Sequence, residues 1–411
     1  MIKVVVISAH IKGKDKTRSD QEILNLIDSL DMEAVRFYTQ EMDEYKRVTY
    51  LGKGKLAELK GYIENIDDVK AIVINDDLTP LQFKTLSDVF NLPIYDRTGI
   101  ILDIFSINAQ SKEARLQVEI AKLMYAKTRM VDKDANYSQV TSGGGAHNKG
   151  EGEKKIDLER SAFKVLIARK RSELEKLKKQ RQTTRRLRKS NTLPLIAIVG
   201  YTNAGKSTLL NRLIKFSHVK DEKMVKEENR LFATLETSTR LIEFPNYPNF
   251  LCTDTVGFID NLPTTLVEAF KSTLEELKEA DLLIQVLDVS DPYYKHQKEV
   301  TERTLKEIGV TDIPMIYLYN KFDMLNKYPF IPDKMSLYTS LKDDENVLEV
   351  LDLMFETLYK DYLELDILLP YEKSLFSLRK EAYITSVVED DEGYKLHGFF
   401  SKETIDKWGL F

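Results

Sequence analysis

Residues Gly200–Ser207 have the pattern G-x-x-x-x-G-K-S, which is typical of a loop that binds phosphate groups. The apolar run Leu195–Val199 before it predicts a buried strand, and the segment that begins at Thr208 predicts a helix. Such a loop works because its backbone N–H groups and the helix N-terminus point at phosphate oxygens. In that arrangement Lys206 reaches the β- and γ-phosphates and the Ser207 hydroxyl binds Mg²⁺. The pattern therefore predicts a nucleotide site.

A second motif, Asn320–Asp323, indicates which nucleotide binds. It follows the apolar run Met315–Tyr319, at the end of another predicted strand. The Asp323 carboxylate can accept hydrogen bonds from N1–H and the 2-amino group of guanine, whereas adenine has an acceptor at N1 and lacks that amine. Because adenine would leave a buried carboxylate without partners, such a site discriminates strongly between the two bases. The motif predicts a guanine nucleotide.

A third predicted strand, Asn249–Thr253, ends at groups suited to the metal and the γ-phosphate. Asp254 would hold Mg²⁺, directly or through water, and the Gly257 N–H would sense the γ-phosphate. Thr234 lies between the phosphate loop and Asp254 in the chain. It would complete the Mg²⁺ shell when GTP is bound; the alternative is a solvated loop threonine.

The composition argues against several classes of protein. A chain of 411 residues suits two to four domains, and 42% hydrophobic with 31% charged residues predicts a soluble, well-cored protein. No apolar run approaches a membrane span, and Met1–Ser8 predicts a first strand rather than a signal peptide. Cys252 is the only cysteine, so we expect no intramolecular disulfide and a cytoplasmic location. The histidines lack ligand spacing, which argues against zinc: His10, His147, His218, His296 and His397.

Positive charge is concentrated in one segment, although the whole chain has a net charge of −5. Between Lys164 and Lys189, twelve lysines and arginines against Glu173 and Glu175 give a local net charge of +10. Such a basic stripe is typical of contact with a phosphate backbone. A solvated helix face is the alternative that charge by itself leaves open.

The N-terminal third alternates predicted strands and helices, which indicates an α/β layer. The strands are Lys3–Ile7, Ala34–Tyr38, Ala71–Asn75 and Pro93–Tyr95, and the helices are Lys55–Glu64 and Leu81–Phe90. Gly52–Lys55 opens one of these helices, either as an anion site or as a tight turn with solvated lysines.

Two long helices are predicted after this layer. Apolar residues recur at helical spacing in both, first at Ala109, Leu116, Ile120, Leu123 and Met130, then at Leu166, Leu174, Leu177 and Leu187. The second helix is predicted from about Ile156 to Lys189, so the pair forms an antiparallel hairpin. The glycine-rich segment between them predicts a polar tip, either for contact with a partner or as a plain connector.

The predicted fold class is α/β multidomain. We expect an N-terminal α/β domain at 1–107, a helical hairpin at 108–192 with its tip at 136–153, a P-loop GTPase domain with a mixed sheet flanked by helices at 193–364, and a small α+β C-terminal domain at 365–411. In the last domain, Ala382–Val388 and Tyr394–Phe400 predict a β-hairpin.

The chain resembles the HflX family of ribosome-associated GTPases over essentially its full length. The segments that match the family patterns are Tyr50–Leu59, Asn75–Gln82, Asp96–Phe105, Lys112–Tyr125 and Gly143–Glu153. The resemblance implies a monomeric factor that binds the large (50S) ribosomal subunit and its 23S rRNA, places the hairpin tip near the peptidyl-transferase region, and separates stalled or idle 70S ribosomes. It implies no DNA and no membrane partner.

Three segments depart from the family pattern. Lys149–Glu153 loses the family's proline, and Glu236–Arg240 replaces Asp-Pro-Thr-Thr-Arg. The guanine-supporting Ser-Ala pair appears as Ser340–Leu341, where the Ser340 backbone N–H would face guanine O6; the alternative is an ordinary loop serine.

These motifs together define the predicted site. The residues expected at GTP or GDP are Gly200, Tyr201, Thr202, Asn203, Ala204, Gly205, Lys206, Ser207, Thr208, Asp254, Gly257, Asn320, Lys321, Asp323, Ser340 and Leu341. The expected Mg²⁺ ligands are Ser207, Thr234 and Asp254, and the expected catalytic residues are Lys206, Thr234, Gly257 and Asn203.

Phe258 indicates how hydrolysis is controlled. Many small GTPases have at this position a glutamine that orients the attacking water, which a phenyl ring cannot do. We therefore expect slow hydrolysis by the protein alone and stimulation by large subunits. Asn203 either holds a K⁺ ion that bridges the phosphates, as in related GTPases with asparagine there, or makes only local hydrogen bonds.

The sequence leaves three further hypotheses. The chain could be a GTP-regulated module that occupies ribosomes or another RNA without separating subunits. An RNA-modifying enzyme has little support, because no cofactor motif or nucleophile pair is apparent outside the GTPase domain. The α/β pattern of the N-terminal third, together with Gly52–Lys55, is also compatible with a second nucleotide there.

Overall fold

The structure is a computed structural model. It describes residues 1–13, 16–129, 149–188, 193–217, 232, 238–244, 246–260, 275–325 and 333–410. The chain divides into two compact units, one over Met1–Leu187 and one that takes in Arg188–Asn261 and Lys271–Phe411. The predicted α/β fold class is confirmed.

The first unit begins with a parallel four-stranded sheet of order β2-β1-β3-β4. The strands are β1 (Ile2–Ile11), β2 (Met32–Met42), β3 (Ala71–Ile74) and β4 (Ile94–Asp96), and the helices are α1 (Thr17–Asp28), α2 (Lys53–Glu64), α3 (Pro80–Phe90) and α4 (Arg97–Asn108). The central strands are continuous apolar runs because both faces of a parallel sheet are covered. Within β1, Val4, Val5 and Val6 are fully buried.

Local caps define where these helices begin. Thr79 and Gln82 form a capping box at the start of α3, with Pro80 in the first turn. Gly52 is the N-cap of α2, and Lys55 pairs with Glu58 of the same helix at 2.8 Å. The Gly52–Lys55 element is thus an ordinary helix start within the described part of the chain.

Two long helices follow, α5 (Lys112–Thr128) and α6 (Lys149–Arg188). Their seam consists of Leu116 and Ile120 against Ile167 and Leu174. The prediction of Leu166 was off by one position: Ile167 and Leu174, seven residues apart, lie on the same helix face, and Leu166 is only partly buried.

The predicted glycine-rich tip lies mostly outside the described residues. Residues 149–153 of that tip belong to α6, which begins earlier than the predicted start near Ile156. Each glycine disfavours a helix interior by about 1 kcal/mol. The acidic residues Glu151 and Glu153 favour a helix N-terminus, because its macrodipole is positive there.

The second unit contains a six-stranded mixed sheet of order β10-β9-β8-β5-β7-β6, in which only the β6–β7 pair is antiparallel. Its strands are β5 (Leu195–Gly200), β6 (Ser238–Ile242), β7 (Phe250–Asp254), β8 (Leu282–Asp288), β9 (Met315–Asn320) and β10 (Ser336–Thr339). The helices are α7 (Lys206–Phe216), α8 (Tyr294–Glu307) and α9 (Glu345–Tyr359). The predicted strands at β5, β7 and β9 are confirmed.

The chain ends in a three-stranded antiparallel sheet of order β11-β13-β12. Its strands are β11 (Leu363–Pro370), β12 (Tyr383–Asp390) and β13 (Gly393–Phe400), with short helices α10 (Leu375–Leu378) and α11 (Lys402–Trp408). The predicted hairpin is confirmed. Tyr383 stacks on Phe355 of α9 with ring centroids 5.5 Å apart, so this sheet shares a hydrophobic core with the larger one. No described helix is both long and apolar enough to cross a membrane.

Candidate nucleotide site

Three predicted motifs converge at one edge of the six-stranded sheet. Strands β5, β7 and β9 run parallel, so their carboxyl ends meet at the same edge, where open α/β sheets bind ligands. The register sets Ile198 of β5 beside Asp254, and Asp288 of β8 beside Asn320. The motifs, which are far apart in the chain, therefore lie next to one another at this edge.

The glycines of the phosphate loop allow close approach of the backbone. Gly200 has φ of 144°, and a Cβ there would lie 2.4 Å from the Val286 carbonyl oxygen. Gly205 has φ of 107°, and a Cβ there would lie 2.3 Å from the Asn320 side-chain nitrogen. Gly205 is also the N-cap of α7, so the helix N-terminus faces the loop as predicted. Larger residues at either position would displace the loop.

Lys206 is buried at the start of α7, with 6% of its surface exposed. Its Nζ donates to the Tyr201 carbonyl oxygen at 2.7 Å. Burial lowers the pKa of Lys206 to about 8, against the opposing effect of the nearby Asp254 carboxylate. A phosphate anion would restore the preference for the ammonium form.

This pKa predicts a pH dependence of GTP binding. Below about pH 8 the Lys206 amine is charged in the free protein; above it the folded protein has lost that proton and must take one up when GTP binds. We therefore expect GTP affinity to be flat below this pH and to fall above it, by at most about tenfold per pH unit. Calorimetry in buffers of different ionisation enthalpy measures the proton uptake. Lys206→Gln is the reference, because titration of the guanine base affects both proteins; equal pH profiles for the two would contradict the prediction.

Ser207 and Asp254 lie together as the Mg²⁺ prediction requires. The Ser207 Oγ donates to Asp254 Oδ2 at 2.7 Å, and Asp254 is fully buried. A hydroxyl and a carboxylate are the hard oxygen ligands that Mg²⁺ prefers, so the donor set fits this ion. Thr234, the third predicted ligand, lies outside the described residues.

Gly257 is held directly against the phosphate loop. A Cβ at Gly257 would lie 2.7 Å from Thr202 Cγ2 and 3.0 Å from Lys206 Nζ. The next residue is paired with the loop through its backbone: Thr202 N–H donates to the Phe258 carbonyl at 2.9 Å, and Phe258 N–H donates to the Gly200 carbonyl at 3.1 Å. Glycine is therefore required here because a side chain would not fit between this segment and the loop.

Phe258 points away from this surface. It is 3% exposed and packs with Ala197, Val199 and Leu283 in a hydrophobic cluster. The expectation that this side chain cannot orient a water molecule gains a second reason, since its ring lies in the core.

Asn320 joins the loops around the site. Its side-chain nitrogen donates to the Ala204 carbonyl at 2.9 Å, and its Oδ1 accepts from the Leu341 N–H at 3.2 Å. Asn320 is 3% exposed, so its side chain braces the phosphate loop against the Ser340–Leu341 loop. The sequence prediction treated Asn320 as a nucleotide contact and missed this bracing.

A short 3-10 helix, Phe322–Met324, follows β9; Lys321 is its N-cap and Asp323 lies within it. Lys321 pairs with Asp288 at 2.6 Å and donates to the Asn203 carbonyl at 3.2 Å. The exposed Asp323 lies 3.5 Å from Lys342 Nζ. The carboxylate thus faces outward at the edge of the site, where a base can reach it.

Two supporting residues were missed by sequence reasoning. Asp288 ends β8, a strand whose apolar run was not singled out. Arg212 of α7 donates to Asp344 at 2.6 Å and to the Lys342 carbonyl at 2.8 Å, which holds the Ser340–Leu341 loop to the helix. The apolar run Leu282–Leu287 could have predicted the strand that ends at Asp288. No local sequence pattern identifies the role of Arg212.

The remaining predicted residues occupy the same loop. Tyr201, Thr202 and Ala204 are buried, Thr208 is partly buried, and Asn203 is exposed with φ of 61°. Ser340 is 6% exposed. Every described member of the predicted set therefore lies in or beside the phosphate loop and the three loops that follow β7, β9 and β10.

Comparison with known proteins places this geometry in a family. Family models match the chain in sequence order: a GTP-binding GTPase N-terminal region at 17–106, a GTP-binding GTPase middle region at 108–188, and a 50S ribosome-binding GTPase at 195–321. The chain is 40% identical over 379 residues to GTPase HflX of Caldanaerobacter subterraneus, covering 90% of this chain and 85% of that protein. It is 36% identical over 395 residues to GTPase HflX of Lacrimispora saccharolytica, covering 95% and 91%.

A limited structural similarity to one solved structure was also found. The crystal structure of a GTP-binding protein from the archaeon Sulfolobus solfataricus in complex with GDP has a TM-score of 0.45 at 22% identity, covering 88% of this chain and 99% of that one. The curated relatives are far more similar in sequence, and their match spans most of both chains. The chain belongs to the HflX family of GTPases.

Proposed function

We propose that the protein binds GTP with Mg²⁺ and hydrolyses it to GDP and phosphate in a cycle controlled by the ribosome. The observation that supports this most directly is the side chain of Asn320, which braces the phosphate loop and the Ser340–Leu341 loop at one sheet edge. The family models and relatives support GTP as the substrate.

Each part of the site has a role in this proposal. Lys206 and the N–H groups of the phosphate loop hold the phosphates, and Asp323 with the Ser340 N–H reads guanine. Ser207 and Asp254 would hold Mg²⁺, which neutralises charge on the transferring phosphoryl group when bound. The Gly257 N–H meets the γ-phosphate.

Hydrolysis by the isolated protein is expected to be slow. Position 258 has a phenylalanine whose ring is buried in the core, so no side chain at this position orients the attacking water. Large subunits would stimulate hydrolysis. Asn203, exposed on the loop, is the residue we propose for K⁺; replacing K⁺ by Na⁺ in the assay should then lower the rate.

The large ribosomal subunit and its 23S rRNA are the proposed partners. The family model over 195–321 describes a 50S ribosome-binding GTPase. Residues 164–188 of the basic stripe belong to α6, and their concentration of positive charge in the sequence favours contact with a phosphate backbone. We propose a cytoplasmic monomer of four parts, with GTP binding driving separation of 70S ribosomes and hydrolysis resetting the factor.

Light scattering of intact 70S ribosomes tests the separation step. The protein with GTP, and with a non-hydrolysable analogue, should lower the scattering, while the protein with GDP should not. Binding in sedimentation without any fall in scattering would favour a module that occupies ribosomes without separating them. Absence of both would contradict the ribosomal proposal and leave GTP hydrolysis standing.

Neutralising Arg185, Arg186 and Arg188 together is expected to weaken ribosome association. Each lost phosphate contact should reduce the slope of log affinity against log salt by about one. Sedimentation at several salt concentrations measures both. The exposed Lys278, Lys295 and Lys306 of the second unit provide a control with the same change in charge. Unchanged affinity and slope in the arginine variant would show a merely solvated stripe.

A further inference from the structure

Tyr201 makes a contact that the phosphate-binding pattern does not require. Its side chain is 5% exposed, and its hydroxyl accepts a hydrogen bond from the Asp260 backbone N–H at 2.8 Å. The Asp260 carboxylate lies 3.0 Å from His296 Nε2 and 3.9 Å from Arg303, both on α8. Asp260 is therefore held from the phosphate loop on one side and from a helix on the other.

The same segment is also paired through its backbone. Tyr201 and Phe258 form a parallel β-bridge, which lays residues 258–260 alongside the phosphate loop. The Phe258 ring anchors the segment in the core. Before Gly257 in the chain, Asp254 ends strand β7. Gly257 therefore lies between two fixed points, the end of β7 and the buried Phe258 ring.

Little room is left for Gly257 to move toward the loop. A Cβ there would collide with Thr202, so the segment is already in close contact with it. Movement in the opposite direction, away from the loop, would carry the Gly257 N–H away from the γ-phosphate. The hydrogen bond from the Asp260 N–H to the Tyr201 hydroxyl opposes that movement.

We propose that Tyr201 is a positioning residue for hydrolysis: its hydroxyl and Asp260 form a latch that keeps the Gly257 N–H where the γ-phosphate arrives. This rests on the proposed GTP hydrolysis and gives the Tyr201 side chain a role that the phosphate-loop pattern leaves unspecified. The latch acts on the γ-phosphate only. GDP, which lacks that group, binds equally well with the latch open.

Tyr201→Phe tests the latch because it removes only the hydroxyl. Tyr317→Phe is the matched control, since the Tyr317 hydroxyl donates to Glu302 of the same helix α8 at 2.9 Å, away from the loop. The measurements on the full chain are GTP turnover, affinity for GDP and for a non-hydrolysable GTP analogue, and amide exchange by mass spectrometry for a peptide covering 255–260.

For Tyr201→Phe we expect kcat to fall about fivefold, with KM and GDP affinity within about twofold of the parent. The preference for the analogue over GDP should shrink, and the 255–260 peptide should exchange faster in the nucleotide-free protein. Tyr317→Phe should change none of these. His296→Ala should act in the same direction as Tyr201→Phe, and the two should be less than additive because both act on Asp260.

Three results would overturn the proposal. Unchanged exchange would show that the hydroxyl does not hold the segment. Faster exchange with parental kcat and analogue preference would show that the held segment does not matter for the γ-phosphate. Equal losses of GDP and analogue affinity would show general support of the loop instead. A parent protein that binds GTP without hydrolysing it would contradict the proposed function, while exchange and analogue preference would still test the latch.

Discussion

Replacing Asp323 with asparagine is expected to weaken GTP binding by at least about 100-fold and to create measurable binding of xanthosine triphosphate. The carboxylate accepts from N1–H and the 2-amino group of guanine, whereas an amide presents its NH₂ to one of those donors. Xanthine has a carbonyl oxygen where guanine has the amine, so it can accept from the new NH₂. The exposed Asp323 sits at the rim of the site, with Lys342 3.5 Å away.

Competition of the two triphosphates against a fluorescent guanine nucleotide measures this change. Asp312→Asn removes the same charge from an exposed loop and should leave both affinities unchanged. Because Asn320 rather than Asp323 braces the loops, Asp323→Asn should also retain the parental thermal stability. Parental selectivity for guanine in a folded Asp323→Asn protein would refute the base-reading role.

Replacing Ser207 with alanine is expected to reduce GTP hydrolysis by about 100-fold or more, an effect of the size seen when one transition-state ligand is lost. The variant loses a hard oxygen ligand for Mg²⁺ and the hydroxyl that bonds Asp254 at 2.7 Å. The buried Asp254 carboxylate then lacks that donor.

A titration of the rate with MgCl₂ distinguishes a lost ligand from a damaged fold. For Ser207→Ala we expect a higher half-saturating Mg²⁺ concentration as well as a lower maximal rate. Ser217→Ala at the other end of α7 is the control, since its hydroxyl accepts from the Glu243 N–H and lies outside the site. Equal Mg²⁺ dependence in the parent and Ser207→Ala would contradict the metal assignment.

The motifs were readable from sequence because each obeys a local rule. The phosphate loop needs a strand, glycines at restricted backbone positions and a helix start within about a dozen residues, and all three are adjacent in the chain. The strands β5, β7 and β9 were predicted from apolar runs that a parallel sheet buries on both faces. Their meeting at one edge then follows from the parallel connections.

Contacts between side chains that are far apart in the chain could not be predicted from the sequence. Asn320 fits the base-recognition motif, yet its amide is used between Ala204 and Leu341. Phe258 was recognised as unable to orient water, but its burial against Val199 required the packed sheet. Tyr201 matched a variable position of the loop pattern, and only the fold brings its hydroxyl to Asp260.

The sequence by itself determined the nucleotide, the family and the order of the parts, because these depend on residue types at short spacing. The tertiary structure decided which polar side chains hold the loops of the site together, as Asn320 does, and which face outward, as Asp323 does. It buried Lys206 so that its pKa falls to about 8, and it set Gly257 against Thr202. Both effects arise from desolvation and close packing between segments that are distant in the chain, and local patterns contain no information on either.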